Sequence, residues 1–186
     1  MKKPTSLTNQ FLIAMPDLHD PHFDHAVTLI CEHNEQGAMG IVINQPLDLN
    51  ISEILQHLDI QLSDQFNDSS VFSGGPVHTE VGLILHPPAG QWESSIRLSD
   101  ELCITSSKDI LKALGQGKGP EKVHLVLGYA GWGPGQLEQE LLDNAWLTTP
   151  ADAEIVFNTP NDKRWTQAVQ SIGIDPMRLS TQTGHA

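Results

Sequence analysis

The chain has 186 residues, 39% of them apolar, which suits one domain with a proper core. It carries 23 acids against 10 Lys and Arg, a formal net charge of −13, with its bases scattered and Lys2-Lys3 and Lys163-Arg164 the closest pairs. Binding to nucleic acid or to an anionic membrane rests on clustered Lys and Arg, so both direct DNA binding and membrane docking are disfavoured. No apolar run approaches the roughly 18–20 residues of a transmembrane helix. Residues 1–6 begin like the charged region of a signal peptide, but residues 11–15 stop at Pro16 and form no adequate apolar segment. The cytoplasm is the default compartment. Cys31 and Cys103 sit inside apolar runs and read as reduced, largely buried thiols.

In chain order, residues 11–15 read as a short strand. Residues 25–33 alternate Val27, Leu29, Cys31 and His33 against Ala26, Thr28, Ile30 and Glu32, the period of two of a half-buried strand. Gln36-Gly37 turns the chain, and residues 38–44 return as the second strand of a hairpin, ended by Gln45-Pro46. Ile51, Ile54, Leu55 and Leu58 have helical spacing, with Asn50 as the cap. A polar loop at 63–69 precedes Val71-Phe72, the turn Ser73-Gly74-Gly75-Pro76, an apolar run at 81–86 and a loop at 87–90. A short strand at 102–105 leads to a helix at 108–114, capped by Ser106 or Ser107 and closed by Gly115 and Gly117-Lys118-Gly119-Pro120. Residues 123–127 are the most strand-like segment. They feed a glycine-rich loop at 128–135 and a helix at 136–143. Residues 155–157 read as a late strand, and 162–172 as a last helix with Trp165, Ala168, Val169 and Ile172 on one face. Residues 1–6 and the polar tail 180–186 read as frayed ends. With no repeats and no long linker, residues 1–186 read as a single mixed α/β domain.

The loop Gly128-Tyr129-Ala130-Gly131-Trp132-Gly133-Pro134-Gly135, followed by Gln136-Leu137-Glu138, is the strongest candidate for a site. A strand–glycine loop–helix can cradle an anion on helix N–H groups. Here the phosphate-loop Lys-Ser/Thr is missing, the spacing is not Gly-x-Gly-x-x-Gly, and Glu138 and Glu140 would repel a phosphate. Cys31 and His33, if both lie on one strand face about 6.8 Å apart, form a second candidate, in which a protonated imidazole would raise the thiolate fraction. The histidines at 19, 22 and 25 with Asp20 and Asp24 are fair metal ligands, but Pro21 opposes a continuous helix presenting them together, and an exposed polar loop is the preferred reading, with no metal assigned. There is no Gly-x-Ser-x-Gly, His-Glu-x-x-His or Cys-x-x-Cys. No catalytic constellation is assembled, and no cofactor is indicated.

Several segments together resemble the YqgE/AlgH family of small bacterial proteins. They are Phe11-Leu12-Ile13-Ala14-Met15-Pro16, Ile30-Cys31-Glu32-His33-Asn34-Glu35, Gly37-Ala38-Met39-Gly40-Ile41-Val42-Ile43-Asn44-Gln45-Pro46, and Phe72-Ser73-Gly74-Gly75-Pro76-Val77. Leu85-His86, Leu127-Gly128-Tyr129-Ala130-Gly131-Trp132, Gly135-Gln136-Leu137-Glu138, Asn144-Ala145-Trp146-Leu147 and Arg164-Trp165 complete the set, which runs from about residue 7 to residue 179. His22 and His25 depart from the family pattern. The resemblance implies an α/β fold particular to the family, a mixed sheet flanked by helices with a smaller lobe. Some members are named as regulators of alginate production, which describes a phenotype and does not require DNA binding.

Two functional expectations follow. The preferred one is a non-enzymatic regulatory or interaction module, acting at most indirectly on transcription. Its contact surface would combine Asn44, Gly74, Gly75, Pro76, Tyr129, Gly131, Trp132, Gly133, Gln136 and Glu138, since glycines allow close approach and aromatic rings supply contact area. Its partner, a protein or a small molecule, and its oligomeric state are left open. The alternative is a thiol-based enzyme or redox sensor using Cys31 tuned by His33.

Overall fold

The computed structural model describes residues 5–18, 20–21 and 23–181. His19 and His22 of the histidine-rich segment therefore lie outside the described residues. Ten strands form one sheet in the order β10-β1-β2-β3-β9-β6-β8-β7, with β5 alongside β9 and β4 alongside β5. The strands are β1 (Gln10–Ala14), β2 (Val27–Asn34), β3 (Gly37–Val42), β4 (Pro46–Asn50), β5 (Ser70–Ser73), β6 (Val77–His86), β7 (Ser95–Arg97), β8 (Cys103–Thr105), β9 (His124–Trp132) and β10 (Trp146–Pro150). All pairings are antiparallel except β5–β9, where Phe72 and Ser73 lie opposite Val126 and Leu127.

The sheet curls around its main core. Phe11, Leu29, Ile41, Phe72, Leu85, Ile104 and Val126, contributed by seven strands, meet in one cluster. That cluster is covered by α4 (Ala153–Phe157) and α5 (Arg164–Ser171), whose Ile155, Val156, Trp165, Ala168 and Val169 point inward. On the opposite face of the sheet, Leu12, Ile30, Val42, Ala130, Trp132 and Trp146 pack against α3 (Gln136–Leu142) through Leu137. A third cluster seats α1 (Ile51–His57) and α2 (Lys108–Gly115) on β5, β6 and β9 through Ile51, Leu55, Ile110 and Leu114. The last helix is α6 (Pro176–Thr181). No helix among the described residues is long and apolar enough to cross a membrane.

Six elements depart from the sequence expectation. Strand β4 begins at the Pro46 expected to end a strand, because it pairs with β5 alone among the described residues. Helix α6 keeps residues 180 and 181 of the expected frayed tail helical. Residues 155–157 are helical: the Asp152 carboxylate accepts the Glu154 N–H at 2.9 Å, and Asn158 Nδ2 donates to the Glu154 carboxylate at 2.7 Å. A three-residue apolar run carries no period, so local capping decides its state. The glycine-rich stretch is strand as far as Trp132, because Ala130, Gly131 and Trp132 pair with Gly40, Met39 and Ala38. Strand β10 takes its partner from far along the chain, pairing over its whole length with β1. Strand β7, set in a polar segment, pairs only with β8 among the described residues.

Two strands change phase midway. In β9, Leu125 and Leu127 face the third cluster, whereas Tyr129 faces the main core and Ala130 and Trp132 the α3 side. The reversal falls at Gly128, whose φ is +79°, a conformation that favours glycine. In β2 the register slips between Ile30 and Glu32, so that Cys31 is the extra residue of a bulge.

Candidate functional site

Gly128 lies under the Gly74-Gly75 turn. A Cβ on Gly74 would strike the Gly128 carbonyl oxygen, one on Gly75 the Tyr129 backbone, and one on Gly128 the Gly75 carbonyl oxygen. The backbones also bond: Gly74 N–H donates to Leu127 O at 2.8 Å, and Val42 N–H to Gly74 O at 2.8 Å. The three glycines therefore weld β3, β5 and β9 together. Asn44 is occupied in the same way, its Oδ1 accepting from Val27 N–H and its Nδ2 donating to His25 O, both at 2.9 Å.

The two aromatic rings of the stretch do not share a surface. Tyr129 packs against the main core and Trp132 lies on the other face of the sheet, as two chain positions separated by an odd number in a strand must. Trp132 is buried and stands edge-on to Trp146 at 6.2 Å between ring centroids. Both indole N–H groups donate to one oxygen of Glu140, at 2.7 and 3.0 Å, while Gln136 Nε2 donates to its other oxygen at 3.3 Å. Gln136 also accepts the Gly133 N–H at 3.0 Å, tying the turn to the start of α3. Pro76, Gly131 and Gly133 are exposed, and Gly131 has open space where a Cβ would stand. The expected contact surface is thus dispersed over both faces of the sheet.

The bulge at Cys31 separates that thiol from His33. With Glu32 opposite Met39 and His33 opposite Ala38, Cys31 and Glu32 turn to the main-core face, and His33 turns to the α3 face. The one-face geometry expected from strict alternation does not occur. Both nitrogens of His33 are also committed: Nδ1 accepts the Leu7 N–H at 3.0 Å, which leaves the proton on Nε2 to donate to Glu138 at 2.5 Å. That bond holds the Glu138 carboxyl below its usual range. Cys31 is only partly covered as a residue, yet its thiol is shielded from water, and burial pushes its pKa up to about 12. Its S–H points to Leu29 O, 3.6 Å away.

Arg164, flagged by the sequence only through its resemblance segment, is a buried tie. Its guanidinium donates to the carbonyls of Ile43, Ile155 and Thr159 and covers one side of the Phe72 ring at 5.2 Å from the centroid. The His124 ring stacks on the same phenyl at 4.2 Å. Burial first, then the Arg164 charge, lower the His124 pKa to about 3, so this imidazole stays neutral.

The open surfaces lie elsewhere. A groove of about 400 Å³ runs between α1, α2 and β6, walled by Ile54, Leu58, Ile84, Leu111 and Leu127, with His57, Glu80 and Lys108 at its rim. A smaller one, about 260 Å³, opens between the β2 bulge and β7 and is walled by Cys31, Met39, Leu83, Ile96 and Ile104. No group of three or more His, Cys, Asp or Glu side chains among the described residues is arranged to hold a metal ion.

The sequence profile of the AlgH-like family matches residues 11–177. The chain belongs to the AlgH-like family. It is 55% identical to a UPF0301 protein of Thioalkalivibrio sulfidiphilus, over 100% of both chains. It is 51% identical to a UPF0301 protein of Nitrosococcus oceani, again over 100% of both. Among solved structures, the solution structure of the AlgH protein from Pseudomonas aeruginosa superposes with a TM-score of 0.80 at 46% identity, covering 100% of this chain and 99% of that one. A protein from Corynebacterium diphtheriae shares the fold alone, with a TM-score of 0.72 at 21% identity over 96% and 92% of the two chains. The glycine weld, the Glu140 clamp and the Arg164 tie all lie within the matched residues 11–177.

Proposed function

We propose that this AlgH-like protein is a non-catalytic, cytoplasmic binding module whose ligand is a small apolar molecule held in the α1–α2–β6 groove. Any regulatory effect then passes through the captured ligand, because an acidic chain with scattered bases is poorly suited to direct contact with DNA. The observation that carries this reading is the groove itself. Its volume of about 400 Å³ lies in the range of small-molecule sites, and its walls are aliphatic with a few polar groups at the rim. Gly82 lies on its floor, where a Cβ would meet nothing nearer than Leu127 Cδ2 at 3.8 Å. The polar and aromatic groups around the glycine-rich stretch support it by contrast: His33, Glu138, Trp132 and Asn44 already have their partners within the fold.

The test is titration with 1-anilinonaphthalene-8-sulfonate. The native protein is expected to enhance its fluorescence saturably, and Gly82→Leu, which fills the groove, to weaken binding at least tenfold without lowering the thermal midpoint. Equal binding by Gly82→Leu would place the dye elsewhere and remove the support. The thiol alternative meets its own check. With a pKa near 12, Cys31 is expected to react with iodoacetamide at pH 8 at least about 100-fold more slowly than a free cysteine of pKa about 8.5. Labelling at the free-thiol rate would favour the sensor reading instead.

A further inference from the structure

Ile96 is an apolar residue on the core side of the sheet that stands largely uncovered among the described residues. It pairs with Ile104, whose side chain is part of the main core, yet Ile96 itself is 62% exposed. The cause is its place at the end of the sheet: β7 pairs with β8 on one side, and no strand among the described residues lies on its other side. An uncovered edge presents main-chain N–H and C=O groups to any extended segment that arrives. Beside that edge lies the 260 Å³ groove, made possible by the β2 bulge that turns both Cys31 and Glu32 toward it.

The charges around this groove have one sign. Glu32 and Glu93 line it and no Lys, Arg or His does. The Glu93 carboxylate accepts no hydrogen bond among the described residues, its backbone N–H alone being engaged, by Asp109. Arg97, the neighbouring cation on β7, is committed to Ser99 O and the Asp100 carboxylate. A net charge of −13 adds a long-range field of the same sign.

We propose that β7 and the adjoining groove form a docking site for an extended segment of another protein, one that alternates apolar and basic residues. The segment adds a strand to β7 through main-chain hydrogen bonds, lays its apolar side chains on Ile96, Met39 and Leu83, and sets its bases against Glu93 and Glu32. Association is accelerated by the opposite charges. A second copy of this chain fits poorly, because antiparallel pairing of two β7 strands would bring the Glu32 and Glu93 carboxylates of two acidic molecules together. This site is separate from the α1–α2–β6 groove and does not depend on it.

The probe is a fluorescein-labelled seven-residue peptide alternating lysine and valine, followed by fluorescence anisotropy against the full-length protein. Saturable binding is expected, at least tenfold weaker for the same peptide N-methylated at alternate residues, which removes donors but keeps charge and side chains. Ile96→Ser is expected to weaken binding at least fivefold, and Glu93→Lys to weaken it and flatten its salt dependence between 50 and 200 mM. Gly82→Leu should leave it unchanged. Thermal midpoints of the variants matching the native value show that the fold survives, and the N-methylated peptide tests the edge without altering the protein at all. No saturable binding, or equal affinity for both peptides, overturns the proposal. So does binding untouched by both Ile96→Ser and Glu93→Lys, or a concentration-dependent dimer that Ile96→Ser dissolves.

Discussion

Two regions of the sheet treat their apolar side chains in opposite ways. Where β9 and β10 meet α3, the Trp132 and Trp146 rings are buried and their polar partners are matched: Glu140 accepts both indole N–H groups, and His33 bonds Glu138 and the Leu7 amide. At the β7 edge an isoleucine on the core side stands 62% exposed beside a carboxylate that accepts no hydrogen bond among the described residues. The contrast teaches that the glycine-rich signature marks closure. The open, unassigned chemistry of this AlgH-like chain lies in segments with far plainer sequence.

Substitutions can break or sharpen that contrast. The largest loss is expected at the weld, where Gly128→Ala must place a methyl against the Gly75 carbonyl and hold φ near +79°. We expect a cost of about 3 kcal/mol or more, read as a fall in the urea midpoint at constant slope. Glu140→Leu should follow, since it leaves the Trp132 and Trp146 N–H groups without an acceptor under cover; about 2 kcal/mol and a shift in tryptophan fluorescence are expected.

Glu138→Gln reads out pH dependence. Because its bond from His33 lowers the Glu138 pKa, the native carboxylate stabilises the fold above the ordinary value of about 4.3 and ceases to do so as pH falls through its lowered folded value. The variant should therefore show a flatter loss of stability between pH 5 and 3. The Glu138 side chain is 38% exposed, so solvent screening keeps the difference to a few tenths of a kcal/mol. Gly131→Ala should do least, within about 0.5 kcal/mol of native, because no atom stands where its Cβ would go. A severe effect there, or a mild one at Gly128, would show that the stretch is not divided into a welded glycine and a free one.

Much of the fold was legible locally. The β2–β3 hairpin, the α1 and α2 helices with their apolar spacing, and the start of β9 all follow from periods of 2 and 3.6 that neighbouring residues impose. The elements misread are those whose state is set elsewhere. Residues 155–157 have too few positions to show a period, and β10 is held by β1, with Trp146 pairing Ala14 132 residues earlier in the chain. For the site, the residue types were visible but their faces were not. The bulge at Cys31 reverses the side chains beyond it and so parts Cys31 from His33. Tyr129 and Trp132, both beyond the positive φ at Gly128, fall on opposite faces because an odd number of positions separates them. The only local hint of the β7 edge was a lone isoleucine in the polar run Glu93-Ser94-Ser95-Ile96-Arg97.

By itself, then, the chain's sequence determined the α/β class, the membership of the AlgH-like family, the apolar faces of its helices and a net charge of −13. Those properties depend on composition and short-range periodicity, which need no knowledge of distant partners. Only the tertiary structure decided which groups are spent and which are available. Burial and hydrogen-bond satisfaction are set by contacts between residues far apart in the chain, such as His33 with Glu138 and Arg164 with Ile43, and by their lack at Ile96, beyond whose strand no other lies among the described residues.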